Sequence, residues 1–136
     1  MENVKILIPL DGTERSMHSI NWLKKMFNKD NTEITVMNII EIVITNDMVV
    51  MNEFGNVQEE SELILDKAIK ELEGYKVEKF TALGNAGDEI LRKAKAGNYD
   101  IIIMTKSNKK GLARMVGSVT SKVVKNAQSL VMVVPQ

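Results

Sequence analysis

Four basic residues, Lys106, Lys109, Lys110 and Arg114, crowd the stretch MTKSNKKGLARMVGSVTS, which passes through Gly117-Ser118 into an apolar helical pattern. Such a loop offers a phosphate cationic side chains, the unpaired N–H groups of a helix's first turn and the positive end of the helix dipole. The Ser118 hydroxyl is a further donor. Ser118 also fits a plain N-cap, and a lysine-rich loop also serves as solvated surface. A second stretch, PLDGTERS, sets Asp11 where it can accept from a ribose hydroxyl or hold Mg²⁺, with Gly12 allowing close backbone approach. Asp-Gly is equally a common turn pair.

Other chemistries are excluded or poorly supported. The chain has no cysteine and one histidine, which removes disulfides, thiolate nucleophiles and Cys- or His-rich metal sites. His18, in the first helical pattern, reads as a partly exposed helix residue rather than a general base. No Walker loop of the form G-x-x-x-x-G-K-[ST] occurs. A receiver-type phosphoacceptor site needs an Asp after strand three and a Lys after strand five; the chain has ALGNAG and VVPQ there. Eighteen basic residues balance eighteen acidic ones, so no broad field attracts nucleic acid or an anionic membrane, and electrostatic recognition must be local. With no signal-peptide pattern and no run of about 18 apolar residues, the expected location is the cytoplasm.

The elements that must position these residues follow from periodicity. VKILIPL (residues 4–10) is too continuously apolar for a half-exposed strand and predicts a parallel strand covered on both faces. Ile20, Leu23 and Phe27 then recur at helical spacing, with Ser16 expected as N-cap. TEITVMNII (32–40) predicts strand two, and residues 57–73 a helix with Leu65, Ala68, Ile69 and Leu72 inward and Gly74 beyond its end. Residues 41–56 lack a clear period and are expected to be a long connection. KVEKFTAL predicts strand three, the next helix turns Ile90, Leu91 and Ala94 inward and ends at Gly97, and YDIIIM predicts strand four. The last helix carries Val119, Val123 and Ala127 inward before strand five, SLVMVVP, from Ser129 to Pro135. This alternation predicts one α/β domain over residues 1–136, a doubly wound, mostly parallel five-stranded sheet with helices on both faces. Ligands of such sheets bind beyond the carboxyl ends of the strands where the order reverses, so the loops after strands one, two and four are the candidates.

In order and spacing, VKILIPLDGTERS, GNAGDEILRKAKAGNYDIIIMTKS and GSVTSKVVKNAQSLVMVVP resemble the universal stress protein family over essentially the whole chain. The resemblance implies sheet order 3-2-1-4-5, a homodimer, and in some members bound ATP or AMP with Mg²⁺; other members bind no nucleotide. It assigns the ribose to Pro9, Leu10, Asp11 and Gly12, with Asp11 reaching a metal only through a Mg-nucleotide. It assigns the adenine to Ile39, and the phosphates to the strand-four loop and helix start, at Thr105, Asn108, Gly117, Ser118, Val119 and Thr120.

The family's phosphate loop reads Gly-x2-Gly-x9-Gly-Ser/Thr. Here Thr105 and Asn108 occupy the first two glycine positions, and Lys109 to Val116 make the second spacing one residue short. Thr lacks glycine's freedom to adopt positive φ, and Asn keeps it in part. Three readings follow: a regulatory module that binds adenine nucleotide, a dimeric stress protein acting through a protein partner without nucleotide, and, with least chemical support, a slow ATPase. The apolar edge of strand five is the expected dimer contact.

Overall fold

The computed structural model describes residues 3–41, 44–45, 48–49, 54–105 and 117–135, with the backbone alone at 44–45, 48–49 and 54–56. Five strands, β1 (Val4–Pro9), β2 (Thr32–Ile40), β3 (Lys76–Leu83), β4 (Ile101–Thr105) and β5 (Leu130–Val134), alternate with four helices. These are α1 (His18–Met26), α2 (Phe54–Glu71), α3 (Ala86–Ala96) and α4 (Ser118–Asn126). All pairings within this five-stranded sheet are parallel, in the order β3-β2-β1-β4-β5. The predicted α/β class and strand order are thus observed. The order reverses at β1, which pairs with β2 from Val4↔Thr32 to Pro9↔Met37 on one side and with β4 at Ile6↔Ile101 and Leu7↔Ile102 on the other.

Burial on both faces explains the unbroken apolar runs. One core packs Ile6, Ile8 and Leu10 of the first strand region and Ile34 and Val36 of β2 against Ile20 and Leu23 of α1, Leu65 and Ala68 of α2 and Leu72 just beyond it. The opposite core sets Leu7, Met37 and Ile102 against Ile90 and Ala94 of α3 and Val123 of α4. Asp100 fastens the start of β4 to β1: its N–H donates to the Lys5 carbonyl and its Oδ2 accepts from Lys5 N–H, both at 2.8 Å.

The two sheet edges differ in chemistry. On β3, Lys76 pairs with Glu33 across the register at 2.8 Å, and Lys79 reaches Glu62 and Asp66 of α2 at 2.6 and 3.0 Å. The hydrogen bond from Lys76 holds the Glu33 carboxyl below its ordinary range, and the carboxylate partners hold both lysines above theirs. β5 instead presents Leu130 at 71% exposure, followed by half-buried Val131, Met132 and Val133.

Some local expectations change. Ser16 is not the cap of α1; it lies in a single 3₁₀ turn, Arg15–Met17, and its hydroxyl donates to the Thr13 carbonyl at 2.8 Å. Helix α2 starts at Phe54 and ends at Glu71, against the predicted 57–73. Within the segment expected to be a long connection, Ile44–Thr45 and Met48–Val49 pair antiparallel. Gly74 has the left-handed φ of +93° expected beyond α2. After α3 that conformation falls on Asn98 (φ 52°), while Gly97 is the C-cap at φ −92°. Among the described residues no helix is long and apolar enough to cross a membrane.

Candidate functional site

The loop after β1 is built from local polar chemistry. Asp11 Oδ1 accepts from the Thr13 backbone N–H at 2.9 Å and from Thr13 Oγ1 at 2.6 Å, a turn in which a carboxylate stands in for a backbone carbonyl. Ser16 N–H closes back on the Thr13 carbonyl at 3.1 Å. Gly12 sits at φ +89°, a backbone conformation that favours glycine, and a Cβ there would also displace the Ile64 Cδ1 methyl of α2, 2.8 Å away. Asp11 is therefore a turn former and an exposed carboxylate at a strand's carboxyl end; the two readings are compatible.

Strand β2 supports that loop from the side. Leu10 N–H donates to the Met37 carbonyl at 2.7 Å, carrying the β1–β2 ladder past Pro9, and the Asn38 Nδ2 donates to the Leu10 carbonyl at 2.7 Å. Asn38 is only 7% exposed, a buried amide among the apolar residues of the second half of β2.

On the other side, α4 begins at Ser118 with Gly117 as N-cap residue, and Gly117 makes no side-chain capping bond. The plain reading of Ser118 as N-cap is thus set aside: it is the first helical residue, and its side chain is exposed. Gly117 has φ −61°, which any residue adopts. Ser121 N–H bonds the Gly117 carbonyl at 2.9 Å, leaving the N–H groups of residues 118–120 at a helix start, where no intrahelical partner exists. Thr120, 2% exposed, approaches the Thr105 carbonyl through Oγ1 at 3.5 Å and so ties the start of α4 to the end of β4.

These pieces surround one cleft of about 350 Å³ at the carboxyl ends of β1, β2 and β4. Of the residues expected from sequence, Pro9, Leu10, Asp11, Ile39, Thr105, Val119 and Thr120 line it together. Gly12 shapes the adjoining turn, and Gly117 and Ser118 lead into Val119 without lining the cavity. Asn108, with Lys106, Lys109, Lys110, Gly111 and Arg114, lies outside the described residues.

The cleft also contains Ser16, Asn38, Glu41, Ala86, Ile90 and Met104, which were not anticipated as lining. Asn38 had a signal, a lone amide in TEITVMNII; Ala86 and Ile90 come from the start of α3, which follows the edge strand β3 rather than β1, β2 or β4. The described lining holds two carboxylates, Asp11 and Glu41, and no cation. Among the described residues no group of three or more His, Asp or Glu could hold a metal ion. Half-buried His18 opens α1 and does not line the cleft.

The family model for the universal stress protein family matches residues 3–135. The chain belongs to that family. Universal stress protein MJ0531 of Methanocaldococcus jannaschii is 32% identical over an alignment covering 96% of this chain and 81% of that protein. Among solved structures, hypothetical protein MJ0577 superposes with a TM-score of 0.82 at 28% identity, covering 100% of this chain and 98% of the other. A universal stress protein family protein from Arabidopsis thaliana, solved with AMP bound, shares the fold with a TM-score of 0.67 at 15% identity, covering 98% and 92%. Two further solved universal stress proteins are complexes with cAMP and with dAMP.

Proposed function

We propose that this universal stress protein is a regulatory module that binds an adenine nucleotide, AMP or ATP, across the carboxyl ends of β1, β2 and β4. The observation that carries this reading is the shared cleft: Asp11, Ile39 and Thr120 come from three separate elements, yet line one cavity at the place where the strand order reverses. In this reading the base lies against Ile39 and the apolar wall of Ala86 and Ile90. The ribose hydroxyls donate to Asp11. The phosphates lie at the start of α4, at Gly117, Ser118, Val119 and Thr120, where free N–H groups and the helix dipole favour negative charge. Mg²⁺ would be held chiefly by the phosphates, with Asp11, one of the two carboxylates of the described lining, as its protein contact. The AMP, cAMP and dAMP complexes of proteins with this fold support the ligand class.

The module works as a cytoplasmic homodimer in this reading, joined through β5, whose apolar edge ends at Leu130, 71% exposed. Among the described residues no side-chain constellation favours catalysis, so binding rather than turnover is the proposed activity. One observation favours the second reading, a nucleotide-free dimer that acts through a protein partner. Thr105 lines the cleft at the position where the family's nucleotide loop begins with glycine.

Calorimetric titration with ATP, ADP and AMP, with and without Mg²⁺, together with mass spectrometry of freshly purified protein, separates the two. A saturable heat or a co-purified adenine nucleotide is the expected result; neither, in folded protein, would select the second reading.

A further inference from the structure

We propose that Asn38 is a positioning residue of the cleft: its side-chain amide fixes the Leu10–Asp11 peptide so that Asp11 is aimed at the ligand. This rests on the nucleotide reading above.

Strand β1 ends at Pro9, and Asp11 already belongs to a turn, so Leu10 is the only link between sheet and loop. Its N–H is held by the Met37 carbonyl. Its carbonyl has no strand partner and is satisfied by Asn38 Nδ2 at 2.7 Å. Leu10 is 3% exposed and Asn38 7%, so water is poorly placed to replace that bond. The amide orientation is chemically required, since turning Oδ1 toward a carbonyl oxygen would oppose two acceptors.

The consequence for the site follows from peptide planarity. In a trans peptide the C=O and the next N–H point in opposite directions. Pinning the Leu10 carbonyl to β2 therefore turns the Asp11 N–H away from β2, and no described residue accepts from it. Asp11 Oδ1 is occupied by Thr13, so the direction of this peptide also decides where the second carboxylate oxygen points. The ribose contact at Asp11 and the base contact at Ile39 must keep one spacing to serve one ligand. Asn38, beside Ile39 in sequence and bonded to Leu10, connects the two.

The test compares Asn38→Ala, which removes the donor, and Asn38→Asp, which replaces it with an acceptor, against wild type. Thr35→Val serves as control: it removes a buried hydroxyl, bonded to the Tyr99 hydroxyl at 2.6 Å, from the same strand and away from the cleft. Each is titrated with AMP by calorimetry at a temperature where circular dichroism shows it folded. Asn38→Ala should bind about tenfold more weakly, Asn38→Asp more weakly still, and Thr35→Val as wild type. Wild-type affinity in folded Asn38 variants overturns the proposal, as does an equal loss in Thr35→Val, which would mark a general effect of stability. Should neither Asn38 variant fold, the wild-type ¹⁵N–¹H spectrum decides: AMP must shift the Asp11 amide, and an unmoved signal overturns the assignment. If wild type binds neither AMP nor ATP, the nucleotide reading itself fails and the proposal falls with it.

Discussion

Gly12 is the residue whose identity the structure constrains most tightly in the cleft region. At φ +89° a Cβ is strained, and the same Cβ would press on Ile64 of α2. Gly12→Ala should cost about 1–3 kcal/mol in chemical denaturation, and a cost near zero would show that the turn adapts freely. Thr105 and Asn108 carry the opposite argument, because they occupy positions where the family's loop is glycine. Thr105→Gly with Asn108→Gly, and one residue inserted between Lys110 and Gly111, should strengthen ATP binding by about tenfold, roughly 1.4 kcal/mol, as read by calorimetry. Asp11→Ala in that background should abolish the gain. Unchanged affinity in the folded, repaired protein would mean that the loop is not what limits binding. Much of the lining was legible at this scale because Asp-Gly and Gly-Ser are punctuation at predicted strand and helix ends. Asn38 and Glu41 were not, since an amide inside a strand and a carboxylate after it reveal their partners only when β1 and β2 are registered.

Among the elements, β4 is enclosed on both sides, with Ile102 and Ile103 fully buried on opposite faces. Ile103→Ala should cost about 2–5 kcal/mol in denaturant unfolding. A smaller loss would mean that neighbouring side chains collapse into the space. The edge strands call for a different test. β3 carries Lys76 and Lys79, ion-paired with Glu33 and Glu62, charges that discourage pairing, whereas β5 is an apolar strand at the edge of the described sheet. Leu130→Lys with Met132→Glu should convert a dimer to monomer in light scattering at micromolar concentration; a monomeric wild type would refute the β5 contact. Val134 is unsuitable for such a change, because it is 2% exposed and a charge there would attack the core instead. The strands were legible because doubly covered parallel strands read as unbroken apolar runs. Helix starts were less so: Ser16 looked like a cap, but Asp11 and Thr13 organise the turn first and delay α1 to His18.

For the whole molecule, the reversal of strand order at β1 brings Asp11, Ile39 and Thr120 around one cavity although they are far apart in the chain. Sequence periodicity supplied the alternation of elements, while the order 3-2-1-4-5 came from the family resemblance and is observed in the pairing. The same order leaves β3 and β5 as the edges of the described sheet and separates the proposed dimer contact from the cleft by element rather than by distance along the chain. The central claim is that this cleft holds an adenine nucleotide. Its most direct test is a ¹⁵N–¹H titration of the assigned wild-type protein with AMP and with Mg-ATP. The account predicts saturable shifts clustered at Asp11, Gly12, Ile39, Thr105 and the amides of Gly117, Ser118, Val119 and Thr120. A spectrum unchanged at millimolar nucleotide, or shifts clustered elsewhere on the surface, would contradict it.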